Sequence, residues 1–334
     1  MDMNKWKRAL LGTGAKAPIP ILSFPSIGLM GITVRELIAS ADTQAEGMAR
    51  VAERCSAGAA LSMMDLSVEA EAFGCEIRFS DDEVPTVVGC MIEEPEQVEV
   101  LAVPPVGAGR TGRYIEAIRK AKERITDRPV LAGIIGPFSL AARFTGVSEA
   151  MIFCFEEPEM METLLEKATE FIIAYARAYR DAGADGVVMA EPAAGLLSPA
   201  LMGEFSTPYA KKIVEAVQRE DFALVYHNCG STVVYGAEEI ASVGAAAYHF
   251  GNAVDLAAML EKMPKAVPVL GNVDPSGVLR HGTPDIVRAE TLKVLEACGG
   301  YENFVLSTGC DVPPTTPWEN IDAFFAAAKE FYEQ

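Results

Sequence analysis

The chain has 334 residues, half of them hydrophobic, and a formal net charge of −19. That composition supports a large buried core and excludes a disordered chain, while the acidic balance excludes non-specific binding to nucleic acid or anionic lipid. The length suits one large α/β barrel or two modest domains.

The opening "MDMNKWKRALLG" carries charge but no apolar core of signal-peptide length. Apolar runs then recur, and we read eight of them as strands: Pro18 to Leu22, Ala60 to Met64, Val130 to Ile135, Gly186 to Ala190, Phe222 to Tyr226, Ala245 to Phe250, Val267 to Leu270 and Phe304 to Ser307. Their hydrophobicity is continuous rather than alternating, the pattern of parallel strands buried on both faces. Helical patterns fill the intervals. "PEMMETLLEKATEFIIAYARAYRDAGAD" is long and periodic with an acidic start, "TPDIVRAETLKVLEACGG" has a Thr cap and a Gly stop, and "TPWENIDAFFAAAKEFYEQ" repeats that start.

Strand followed by helix, eight times, predicts an α/β chain with a (β/α)8 TIM barrel as one domain over residues 1–334. A hairpin insertion after strand 2, over roughly residues 66–110, interrupts the rhythm, and the helix it delays lies in "GRYIEAIRKAKERI". A doubly wound sheet is the runner-up. The longest mostly apolar stretch, Pro129 to Ala142, is broken by Gly and Pro and is too short for a bilayer, so no membrane is expected. Seven scattered cysteines read as reduced thiols, which places the chain in a cytoplasm.

In such a barrel the C-terminal ends of the strands converge on one mouth. Asp65, Glu191, His227, Cys229, His249, Asn252, Asn272, Asp274 and Cys310 all fall there. His227 and Cys229, at i and i+2 on an extended chain, point to the same side, and Cys310 ends another strand on the same rim. One nitrogen and two thiolates make the open type of zinc site, which keeps a position for substrate. The competing reading of these cysteines is buried small apolar residues, and Cys55, Cys75, Cys90, Cys154 and Cys298 take that reading. His249 reads as a core histidine and His281 as surface. Asp65 and Glu191 are either acid/base groups or hydrogen-bonded strand caps. "GNVDPSG" reads as a tight turn tied down by its Asn and Asp.

"MDLSVEAEAFGCEI", "ADGVVMAEPAAGLLSP", "YHNCG", "GNVDPSGVLRHGTP" and "STGCDVPPTTPWENI", in this order, resemble the uroporphyrinogen decarboxylase superfamily over essentially the whole chain. They resemble more narrowly its corrinoid-dependent branch, the methylcobalamin:coenzyme M methyltransferases. The resemblance implies a barrel, a Zn2+ held by His227, Cys229 and Cys310, and a methylated corrinoid, carried by a corrinoid protein, as methyl donor. The implied acceptor is a thiol such as coenzyme M, or tetrahydrofolate; thiolate generation by zinc favours the thiol. Glu191 is then a reserve ligand or proton acceptor and Asp65 a catalytic or orienting carboxylate. Arg143, Asn252 and Asn272 are candidate substrate contacts, Arg143 for a sulfonate.

Two alternatives accompany this reading: a tetrapyrrole decarboxylase, and a barrel that binds a corrinoid protein without catalysis. The stretch Ser23 to Gly31, where decarboxylases carry an arginine-bearing loop, has no arginine, and Gly309-Cys310-Asp311 stands where they have G-H-G. Asp65 matches the decarboxylase aspartate.

Overall fold

The computed structural model describes residues 1–333. Seven strands, β1 (Ala60–Leu61), β4 (Val130–Ile135), β5 (Gly186–Ala190), β6 (Ala223–Asn228), β7 (Ala247–Phe250), β8 (Val269–Val273) and β9 (Phe304–Thr308), form one sheet in chain order. Every pairing in it is parallel. A doubly wound sheet reverses its strand order at a switch point; this sheet never does, which excludes the runner-up. The strands from β5 onward are buried at every position, as continuous apolar runs require.

One face packs on the helices. The other encloses a second core of Leu61, Leu131, Val188, Val225, Leu270 and Val305, joined by Ile19 and Ile21 from the N-terminal segment. The sheet is therefore curled around its own side chains.

The expected first strand, Pro18 to Leu22, is not a strand. Pro18 and Pro20 have no N–H, so the segment cannot sustain a ladder. It still lies along β9: the Ile19 N–H donates to the Leu306 carbonyl at 2.9 Å, and the Pro18 carbonyl accepts from Gly58 N–H at 2.9 Å on the other side. The expected second strand is cut to Ala60–Leu61 for a different reason. The Ser62 hydroxyl takes the Gly133 N–H at 2.9 Å, so a side chain replaces the next ladder carbonyl.

Between β1 and β4 lie the helix Val68–Phe73, an antiparallel ribbon of β2 (Glu76–Arg78) with β3 (Thr86–Val88), the helix Pro95–Val100 and the helix Thr111–Arg124. The long helix spans Pro158–Asp181, and Pro284–Cys298 starts at Thr283, whose hydroxyl caps Ile286 N–H. Among the described residues no single helix is long and apolar enough to cross a membrane.

Candidate metal centre

His227 is the penultimate residue of β6 and faces His249 of β7 in register. Asn228 accepts the Gly230 N–H at 3.0 Å and bends the chain immediately after the strand, which carries Cys229 over the mouth. Gly251 permits this approach: a Cβ there would sit 2.5 Å from Cys229 Cβ. Cys310 follows β9, and Gly309 before it is equally forced, since a Cβ would meet Asn252 N at 2.4 Å.

These turns bring the three donors together. The ligand atoms of His227, Cys229 and Cys310 all lie within 4.8 Å of one another, and Cys310 Sγ is 3.6 Å from His227 Nε2. A tetrahedral zinc with Zn–S of about 2.3 Å and Zn–N of about 2.05 Å holds a sulfur and a nitrogen about 3.5 Å apart and two sulfurs about 3.8 Å apart. The donor set fits the ion in chemistry, and the Cys310–His227 separation fits it in spacing. The Cys229 thiol is pulled down by the hydrogen bond that Cys310 gives it, while the same bond and burial push Cys310 up. One thiolate is thus sustained by the pair alone, and two call for a cation.

The cluster stands between two hollows. One, about 310 Å³, is lined by Ser67, Arg143, Arg280, Cys310 and Asp311. The other, about 450 Å³, is lined by Ser139, Arg143, Leu196, Cys229 and Ser231. Arg143 borders both. It is half-buried, and among the described residues it has no carboxylate partner; burial pulls its guanidinium below the ordinary value against the charge of Asp65. Hollows of about 490 and 670 Å³ lie at the opposite end, near Lys16 and Trp6, with no metal-ligating cluster among the described residues.

The other candidate residues have partners of their own. Glu191 is fully buried and accepts from Phe138 N–H at 3.0 Å and from the Ser139 N–H and hydroxyl at 3.3 and 3.2 Å. It caps the helix Pro137–Thr145, which bears Arg143, and it fills the space a Cβ on Gly136 would occupy. Burial pushes its carboxyl up to about 8 despite those bonds. The three-donor cluster does not include it.

Asp65 is buried against the Arg110 guanidinium, the Tyr114 hydroxyl at 2.7 Å and the Ser67 N–H at 3.1 Å and hydroxyl at 2.5 Å. It is occupied as a structural acceptor. Asn272 gives both amide hydrogens to the Gly251 and Val254 carbonyls at 2.9 Å, which holds the turn behind Cys229. Asp274 accepts from Ser276 and Gly277 N–H, as the turn reading expected. Asn252 is exposed beside Gly309, and His281 is exposed. Cys55, Cys75, Cys154 and Cys298 are buried, but Cys90 is exposed, because it follows the turn at Gly89 that ends the ribbon.

Sequence reasoning missed two contacts of the centre. His249 is the satisfied core histidine expected, outside the donor cluster, but its partner is a ligand candidate: its ring packs edge-on against that of His227 at 4.6 Å. Ser307 stands behind it, 2.7 Å from His249 Nε2. The available signal was the Tyr-His dipeptide repeated at matching positions of neighbouring strands, Tyr226-His227 and Tyr248-His249.

The uroporphyrinogen decarboxylase (URO-D) family profile matches residues 28–331. "Methylcobamide:CoM methyltransferase MtbA" of Methanosarcina mazei is 31% identical over 94% of this chain and 93% of its own length. A "Uroporphyrinogen decarboxylase" of Synechococcus sp. (strain CC9605) is 31% identical over 74% of this chain and 71% of its own. Among solved structures, a "methyltransferase from Methanosarcina mazei" superposes with a TM-score of 0.83 at 27% identity, covering 96% of this chain and 94% of the other. A B12-independent methionine synthase from Shewanella shares the fold at a TM-score of 0.63 and 12% identity.

Proposed function

Since the chain belongs to the uroporphyrinogen decarboxylase family, as an enzyme of its methyltransferase branch, we propose that it moves a methyl group from a methylated corrinoid to a small thiol. The observation that carries this reading is the convergence of His227, Cys229 and Cys310 on one point at the mouth of the sheet. We take residues 1–334 as one barrel domain, with Pro18 to Leu22 as its eighth stave and residues 66–110 as the insertion.

His227, Cys229 and Cys310 would hold a zinc ion, which supplies a Lewis-acid position at which a thiol loses its proton near neutral pH. The reaction breaks the S–H and Co–C bonds and forms an S–C bond; the electron pair of the Co–C bond stays on cobalt, giving Co(I), and the proton leaves. Glu191, whose carboxyl burial pushes up to about 8, would serve either as the acceptor of that proton or as a reserve oxygen ligand.

Arg143 binds an anionic group of the acceptor. An unpaired guanidinium between two hollows is a ready partner for a sulfonate or carboxylate, and the cap from Glu191 keeps its helix in place. The 310 Å³ hollow at Cys310, which Arg143 borders, suits the small acceptor. The larger hollow at Cys229 has Val147 and Leu196 exposed on its rim and suits the corrinoid, presented by its carrier protein. Tetrahydrofolate is the second acceptor class. Its nitrogen nucleophile needs no thiolate, so the sulfur-rich donor set favours the thiol.

Purified protein should hold about one zinc per chain and, under anoxic conditions, convert methylcobalamin and 2-thioethanesulfonate to the methyl thioether and cob(I)alamin, followed by absorbance. Zinc-loaded protein that passes methyl to neither thiols nor tetrahydrofolate from free or protein-bound methylcorrinoid would refute the proposal and favour the non-catalytic barrel.

A further inference from the structure

His227 has a second ring nitrogen, turned away from the cysteines. Its Nδ1 lies 2.7 Å from Nδ1 of His249 and 3.3 Å from the His249 carbonyl oxygen. Nε2 of His249 lies 2.7 Å from Ser307 Oγ, and the Ser307 hydroxyl donates to the Ile19 carbonyl, also at 2.7 Å. All four residues are buried.

Hydrogen-bond polarity fixes every proton in this chain. A carbonyl oxygen only accepts, and a hydroxyl has a single hydrogen, so the Ser307 proton is committed to Ile19. Ser307 Oγ must then accept from His249, which places a proton on His249 Nε2. The His249 ring is buried with no anion among its hydrogen-bond partners and stays neutral, so its Nδ1 is bare and accepts from His227. The proton between the two rings therefore sits on His227 Nδ1, as the nearby His249 carbonyl also demands. His227 Nε2, the nitrogen 3.6 Å from Cys310 Sγ, is left with a free lone pair. A free imidazole in water favours the opposite, Nε2–H form; this chain reverses that preference.

We propose that His249 and Ser307 are positioning residues that hold His227 in the Nδ1–H tautomer, so that a bare Nε2 faces the two cysteine sulfurs, with the Ile19 carbonyl of the N-terminal segment as the fixed end of the relay. The use of this arrangement rests on the metal-centre reading; its geometry does not. The N-terminal segment thereby becomes part of the site although it contributes no ligand.

Two measurements on the full-length chain test it. In metal-free protein labelled with ¹⁵N-histidine, ring spectra should show His227 protonated at Nδ1 and bare at Nε2, and His249 the reverse; with three histidines in the chain, one of them the exposed His281, assignment is direct. Zinc affinity, by competition with a chromogenic chelator, should fall about 10- to 100-fold in His249→Leu and about tenfold in Ser307→Ala, while Ser307→Thr, which keeps the hydroxyl, should retain it.

A His227 Nε2–H tautomer in the metal-free chain would overturn the proposal. So would Ser307→Ala and His249→Leu proteins with an unchanged unfolding midpoint and zinc affinity within about twofold of the parent. Should His249→Leu fail to fold, the spectra of the unaltered chain and the Ser307 pair carry the test. The stated tautomers in a chain that takes up no zinc would support the relay and sink the metal centre instead.

Discussion

Glu69 lies on the helix Val68–Phe73, is 1% exposed, and gives one carboxylate oxygen to the Ile135 N–H at 2.9 Å. Burial raises its carboxyl from 4.5 to about 7; the Ile135 bond and the Arg110 charge oppose that rise without cancelling it. A carboxyl raised in the fold contributes stability that is complete below its unfolded pKa and is lost as pH rises through the folded one. The span of about 2.5 pKa units corresponds to a ceiling of about 3.4 kcal/mol, of which about 0.8 is already lost at pH 5 and about 2.5 more goes by pH 8.

Glu69→Gln keeps an acceptor for Ile135 and removes the titration. The difference in unfolding free energy between variant and parent should therefore move in the variant's favour by up to about 2.5 kcal/mol between pH 5 and pH 8. Urea unfolding of both chains at each pH measures it, and because only the difference is read, the pH dependence of metal binding cancels for a residue outside the metal cluster. A difference constant to within about 0.5 kcal/mol across that range would show Glu69 ionised in the folded chain, with Arg110 outweighing burial.

Arg110→Met should cost about 3–5 kcal/mol in urea unfolding, because it strands Asp65 and withdraws the partner of Glu71 and Ser67, while zinc per folded chain stays unchanged. Gly136→Ala would place a Cβ 2.0 Å from Glu191 Oε1; the displaced cap should cost about 2–4 kcal/mol, and Glu191→Ala in the same chain should recover part of it, a non-additivity that a double-mutant cycle reads directly. Arg143→Leu should raise KM for an anionic thiol about tenfold with little change in kcat or in zinc content, and leave a neutral thiol of similar size unaffected in initial-rate assays.

The strands from β4 onward were legible because burial on both faces writes an unbroken apolar run, and the helix at Pro284 because its cap and stop are local. Pro18 to Leu22 misled because an apolar run reports side chains and is silent on missing N–H donors, which two prolines remove. Ser62 shortened β1 through a side-chain hydrogen bond that no periodicity encodes. At the site, His227 was readable as a strand-end residue and Cys310 once parallel strands were assumed to share a rim, whereas Cys229 reaches the cluster through the bend at Asn228 rather than through the extended two-residue spacing. Arg110 as the partner of Asp65, and Ser307 behind His249, were not readable: each pair is brought together from distant segments, and only the folded sheet makes them neighbours.

Percentage identity alone is 31% for a methyltransferase and for a decarboxylase of this family; the methyltransferase match spans 94% of this chain and the decarboxylase match 74%. The residues at the mouth point the same way. A tetrapyrrole bearing many carboxylates needs several free cations. The segment Ser23 to Gly31 offers none; it forms the short apolar helix Ser26–Met30, pinned by the Trp318 N–H donating to the Pro25 carbonyl at 3.0 Å. Arg110 is committed to Asp65 and Glu71, and Arg280 to Glu83. Among the described residues Arg143 is the one arginine bordering both hollows, and it has no carboxylate partner there. A polyanion would meet one free guanidinium among the described residues bordering both hollows. On the proposed reading, a small thiol with one anionic group would meet one guanidinium together with two sulfurs and a nitrogen that lie within 4.8 Å of one another, the donor set of a thiolate-binding metal. The donor set matches sulfur nucleophile chemistry, for which decarboxylation of a pyrrole side chain has no use.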